Sequence, residues 1–198
     1  YMAGSLIKTP GGGLAPCGGY IVGRADLVER AAGRLTCPGI AGEVGASLGD
    51  PRLFYQGLYM APQIVGEALR SAVFASSLLA DLGFEVLPTA DDDRCDIIQG
   101  IKWRREDLLL AFCQGIQKYS PIDSYVTPLP WDMPGYSDQV IMAAGTFVSG
   151  ASIELSCDAP IVPPEYNLYF QGGLSRYHGK VAIGSTIRDM LEKGLLDL

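Results

Sequence analysis

The chain has 198 residues, 48% of them hydrophobic and 19% charged, a globular composition large enough for one big domain or parts of two. Its net charge of −7 argues against a nucleic-acid backbone as partner, because phosphates recruit basic patches and no Lys/Arg cluster is present. The uncharged stretch 139–153 is too short, and too rich in Gly and Ser, to span a membrane. In chain order, the first 60 residues are glycine-rich and irregular, with a short strand expected over 20–22 and a helix over 24–35 that puts Leu27, Val28, Ala31 and Leu35 on one face. The segment CPGIAGEVGASLGDPR reads as loop. Residues 62–82 give the clearest helix: Pro62 suits a first turn, Gly83 suits a C-terminal cap, and apolar residues occupy most sides.

After residue 83 strands and helices alternate. Strands are expected over 84–87, 96–103, 139–144, 152–156 and 166–170. A helix over 104–119 carries Glu106 and Asp107 in its first turn and a stripe of Leu109, Phe112, Cys113 and Ile116. The closing helix, 177–195, turns Ile183, Ile187, Met190, Leu191 and Leu195 inward. Residues 167–172 read NLYFQG, which resembles a protease-cleavage tag; the needed glutamate is one place too early, at Glu165, so the stretch reads as native.

The cysteines, Cys17, Cys37, Cys95, Cys113 and Cys157, form no C-x-x-C pair. No secretion signal opens the sequence, so reduced thiols in a cytoplasmic protein, packed as small hydrophobes, are the expected state. His178 is the only histidine, which leaves no metal-ligand cluster, and it is expected near the last helix without a catalytic part.

The stretch most able to carry chemistry is GSLIKTPGGG, residues 4–13. A lysine becomes a nucleophile when desolvation or neighbouring positive charge lowers its pKa. Leu6 and Ile7 suggest a strand ending in an apolar interior at Lys8, and the proline and glycines after it suggest a turn whose backbone approaches a ligand. Taken alone, Lys8 is equally an ordinary solvated turn lysine. A P-loop is excluded because Lys8 precedes the glycines, and the G-x-G-x-x-G spacing of a dinucleotide site is missing.

The stretch SLIKTPGGGLAPCGGYIVG resembles the lysine region of pyridoxal-phosphate enzymes of the aspartate-aminotransferase fold. It is most similar to the methionine gamma-lyase-related family often labelled aluminium resistance proteins. RLTCPGIAGEVGASLG, YQGLYMAP, PWDMPGY, IMAAGTFVSGASIELS and YFQGGL fit the same family. The resemblance implies that Lys8 forms a Schiff base with pyridoxal phosphate and that Ser5 binds its phosphate. Ile7 stands where many relatives carry a second phosphate-binding hydroxyl. Arg34 and Arg176 are candidates for the substrate carboxylate, Arg34 being the choice because it sits in a family-like segment; Glu43 is ambiguous.

The implied fold is α/β, the C-terminal part of a fold-type-I enzyme. Residues 1–61 would finish the large cofactor-binding domain, 62–83 would be the connecting helix, and 84–198 the small α+β domain. Because the sequence opens on Tyr1, seven residues before the lysine, it reads as a C-terminal half that binds the cofactor poorly by itself. The implied activity is a carbon–sulfur lyase acting on a sulfur-containing amino acid by alpha-proton abstraction and beta- or gamma-elimination. The implied assembly is a homo-oligomer, dimer or tetramer, with no membrane partner. The competing readings are a scaffold or binding module of the same fold that does not use the cofactor, and a structural piece that folds only with another chain.

Overall fold

A computed structural model describes residues 1–40, 42–43 and 50–197. Part of the expected loop CPGIAGEVGASLGDPR, and of the family-like segment that overlaps it, lies outside the described residues. The chain forms two compact units, Tyr1–Pro62 and Gln63–Leu198.

In the first unit, β1 (Met2–Ser5) pairs antiparallel with β2 (Gly19–Val22), and α1 (Ala25–Leu35) follows. Ala15 and Ala61 are its buried apolar side chains among the described residues, whereas Tyr1, Met2, Val22 and Leu35 are exposed. The strand expected to run through Leu6 and Ile7 ends at Ser5; both residues turn instead, tied by the Leu6 N–H to the Gly18 carbonyl at 2.9 Å.

α2 spans Arg52–Asp81, so its start is ten residues earlier than Pro62 suggests. Pro62 lies inside the helix, where its ring removes one backbone donor, and the division between the units falls directly after it.

The second unit is a five-stranded antiparallel sheet covered on one face by helices. Its order is β3 (Glu85–Leu87), β4 (Gln99–Lys102), β7 (Asn167–Gln171), β6 (Ser156–Pro160), β5 (Val140–Ala144). The class is therefore mixed α/β with antiparallel pairing throughout the described strands. The tag-like stretch 167–172 supplies the central strand, with Leu168 and Phe170 fully buried.

Strand alternation sends Ile101, Leu168, Phe170, Cys157, Ala159, Ile141 and Ala143 into one core. There they meet α3 (Glu106–Lys118) and α4 (Arg176–Glu192). Gly115 lets the two helices approach: a Cβ there would overlap Thr186. Phe84, Trp103, Phe112 and Phe170 form an aromatic chain, with centroids 4.6, 4.9 and 6.5 Å apart along it.

Glu67 of α2 caps the start of α4, accepting the Arg176 N–H at 2.7 Å while its other oxygen takes Arg70. The Arg176 N–H holds the Glu67 carboxyl below its ordinary range, aided by the positive charges of Arg176 and Arg70 against partial burial. A depressed carboxylate pKa stabilises the fold fully above the ordinary carboxylate range, and the benefit fades as pH falls through the depressed value. Glu67→Gln should therefore lose up to about 1 kcal/mol at neutral pH and little in acid. Urea denaturation of both proteins at the two pH values measures this; an equal deficit at both would refute the charge-based cap.

Candidate functional site

β1 delivers Ser5, half-buried, at its last position, paired with Gly19. Two turn residues later comes Lys8, exposed, at the N-cap of a short 3-10 turn, Thr9–Gly11. Pro10 presets the backbone of that turn, and the Lys8 carbonyl accepts the Gly11 N–H at 2.9 Å. Gly12 closes it in the left-handed region with φ 62°, which a residue bearing a side chain adopts only at a cost. Lys8 therefore stands on an exposed, closely tied turn rather than in the apolar interior expected from Leu6 and Ile7.

The glycines do more than permit the turn. A Cβ on Gly11 would strike the Leu6 carbonyl, one on Gly12 the Gly57 carbonyl, and one on Gly57 the Gly11 carbonyl. The turn is thus seated backbone-to-backbone against α2 at Gly57, within YQGLYMAP. Sequence reasoning missed Gly57 as part of the site; the available signal was an isolated glycine inside a helical pattern. Gly57→Ala should cost about 1–3 kcal/mol through overpacking. It should speed hydrogen exchange at the Gly11, Gly12 and Ala15 amides while β6 and β7 stay protected, and unchanged exchange there would contradict the seat.

Arg34 lies exposed in the last turn of α1, where its charge complements the helix end. It lines a cavity of about 650 Å³ with Tyr1, Ala3, Ile21, Leu27 and Arg30. Neither Lys8 nor Ser5 is among the residues that line that cavity. Arg176 is engaged with Glu67 at 3.9 Å and with the Tyr177 ring at 5.2 Å. Glu43 is exposed. His178 lies in α4 with Nε2 2.8 Å from the Tyr119 carbonyl oxygen, a contact that accounts for it structurally.

Among the described residues no group of His, Cys, Asp or Glu could hold a metal, and no helix is long and apolar enough to cross a membrane. Cys113 and Cys157 are core residues with their sulfurs 3.5 Å apart, and burial followed by the Cys113 contact pushes the Cys157 thiol up. Cys17, Cys37 and Cys95 are exposed, unlike the buried small hydrophobes expected, because each falls in a turn or loop.

The family model for methionine gamma-lyase matches residues 1–191. The uncharacterized protein YnbB of Bacillus subtilis is 52% identical over 195 residues, 98% of this chain and 46% of its own. An uncharacterized 33.9 kDa protein of Lactobacillus delbrueckii is 49% identical, across 98% of this chain and 63% of its own. The chain thus spans about half the length of the curated relatives it matches. A carbon–sulfur lyase involved in aluminium resistance from Clostridium novyi superposes with a TM-score of 0.87 at 52% identity, over 95% of this chain and 44% of that one. A solved structure from Listeria innocua gives 0.89 at 49% identity, over 94% and 45%. With nearly its whole length matched, this chain belongs to the methionine gamma-lyase family.

Proposed function

We propose that this chain carries the cofactor lysine, Lys8, of a pyridoxal-phosphate-dependent carbon–sulfur lyase acting on a sulfur-containing amino acid. On this reading Tyr1–Pro62 belongs to the large cofactor-binding domain of a fold-type-I enzyme, and the sheet unit is its small C-terminal domain. The enzyme works in the cytoplasm as a homo-oligomer, a dimer or tetramer. The observation that carries the reading is Lys8 itself: a lysine on an exposed, glycine-seated turn, inside a family match running from residue 1 to 191.

The donor set fits two ends of the cofactor. Lys8 offers an amine to its carbonyl carbon, and Ser5, three residues earlier at the end of β1, offers a hydroxyl to its phosphate. Ile7 cannot add a second hydroxyl, so Ser5 carries that contact in this segment. When bound, pyridoxal phosphate supplies a carbonyl that condenses with amines and a ring that takes up electrons from the substrate carbon.

The chain's own residues do the rest. Nζ of Lys8, when neutral, accepts the proton from the substrate Cα and can return one to the leaving thiolate side. The tied turn fixes the backbone from which the Lys8 stem extends. Arg34, which lines a hollow that Lys8 and Ser5 do not, is the candidate guanidinium for the substrate carboxylate. Loss of the sulfur substituent at Cβ or Cγ then releases a thiol.

An assay of the full-length enzyme that contains this chain, for release of thiol or sulfide and 2-oxo acid from cystathionine, cysteine and methionine, tests the reading. Equimolar thiol and oxo acid, dependent on added cofactor, supports it. A full-length protein that releases neither, yet retains the fold, would be the non-catalytic scaffold.

A further inference from the structure

The second unit carries a cavity that the lysine turn does not explain. On β5, β6 and β7 the residues that alternate with the core set face away from the helices. Ser156 stands opposite Ala144 and Gln171, and Asp158 opposite Met142 and Tyr169. Segment 150–152 joins this face to enclose about 250 Å³, lined by Met142, Ala144, Ser152, Ser156, Asp158 and Gln171 among others.

The polar groups of this cavity are underused. Ser156 is 4% exposed and its Oγ has no hydrogen-bond partner. A buried hydroxyl left in that state costs about 1–3 kcal/mol, so it marks a position suited to a partner. Asp158 is half-buried and takes part in none of the ion pairs among the described residues. Burial pushes its carboxyl above the ordinary range, consistent with a carboxylate lacking a cation. Gln171, half-buried, adds an amide oxygen. A carboxylate, a hydroxyl and an amide oxygen around one small space call for a ligand that brings donors and positive charge. Met142 and Ala144 at the same rim offer surface to a short carbon stem.

We propose that this cavity binds a small organic ammonium compound, with Asp158 as its counter-ion and Ser156 and Gln171 as hydrogen-bond acceptors. The proposal concerns the second unit alone and does not depend on the chemistry assigned to Lys8.

The test is a titration of the ¹⁵N-labelled chain with n-butylammonium at constant potassium ionic strength, followed by amide chemical shifts. The expected result is a saturable shift centred on Ser156, Asp158 and Gln171. Asp158→Asn, which keeps the side-chain shape, should weaken binding about tenfold or more, and Ser156→Ala several-fold. Unchanged Phe112 and Leu168 amides establish that the core is intact, and if one variant fails this check the other decides. No saturable shift, equal binding by an intact Asp158→Asn, an equal response to n-butanol, or full suppression by potassium would each overturn the proposal.

Discussion

Replacing Lys8 by alanine is expected to lower thiol release by about 10³-fold or more, while leaving the fold and substrate binding nearly intact. The reason is local. Lys8 is exposed, and the turn that holds it is fixed by backbone bonds and glycine contacts that do not involve its side chain. Truncation therefore removes the amine while those backbone contacts remain. Lys8→Arg should be almost as inactive, since a guanidinium keeps the charge but is a poor nucleophile and base. The effect should fall on kcat rather than KM, because the substrate carboxylate is assigned to Arg34. A Lys8→Ala protein retaining more than about a tenth of the turnover would remove Lys8 from the chemistry.

Phe112→Ala should produce the largest loss of stability, about 3–5 kcal/mol. Phe112 is fully buried on α3, with its ring centroid 4.9 Å from Trp103 and 6.5 Å from Phe170, so it joins the helical layer to the central strand β7. Deleting the ring leaves a cavity that a close-packed interior cannot refill. Against a typical total of about 5–15 kcal/mol, the second unit would be brought near its unfolding threshold at physiological temperature. Phe112→Leu keeps most of the volume and should cost less than half as much. Urea denaturation monitored by far-ultraviolet circular dichroism reads both; a Phe112→Ala loss below about 1.5 kcal/mol would contradict the layered core.

The helices of the second unit were legible because their signals agree. Glu106 and Asp107 open α3, Lys118 ends it, and Leu109, Phe112, Cys113 and Ile116 are all buried as their spacing implies. At α2 a first-turn proline is a misleading signal: Pro62 suits a helix start, whereas the helix runs through it from Arg52. On either side of that proline, Phe54, Leu58, Ala61 and Val65 stand at helical spacing, although Leu53, Tyr55, Leu58 and Tyr59 are exposed.

The strand expected over 152–156 is displaced: β6 runs Ser156–Pro160. Residues 153–155 alternate in sequence like a strand but are buried on both parities. Glu154 turns inward with Ile153 and Leu155, and its Oε1 accepts the Phe147 N–H at 3.2 Å. Alternation reports a strand only where one face meets solvent.

At the candidate site, physical chemistry alone singled out Lys8 without deciding between turn lysine and reagent, and the family-like segments tipped that balance. Gly57 lay outside reach because its importance is a long-range backbone contact with Gly11 and Gly12, separated from it by more than forty positions of sequence. The pairing of Ser156 with Gln171 was hidden for the same reason: register between β6 and β7 is not written in either strand.

The central claim is that Lys8 is the cofactor lysine, and site-selective reductive trapping tests it most directly. The full-length enzyme that contains this chain is incubated with pyridoxal phosphate, reduced with borohydride, digested, and each lysine peptide is scored for the pyridoxyl adduct. The other lysines are internal controls with known surroundings. Lys102 is paired with Glu85 and Glu165, Lys118 with Asp189, and both ammonium groups are held charged by those carboxylates. Lys180 sits over the Phe74 ring at 5.4 Å. The predicted result is an adduct concentrated on Lys8 and reduced when Ser5 is replaced by alanine. An adduct spread evenly over Lys8, Lys102, Lys118, Lys180 and Lys193, or one that spares Lys8, would contradict the assignment.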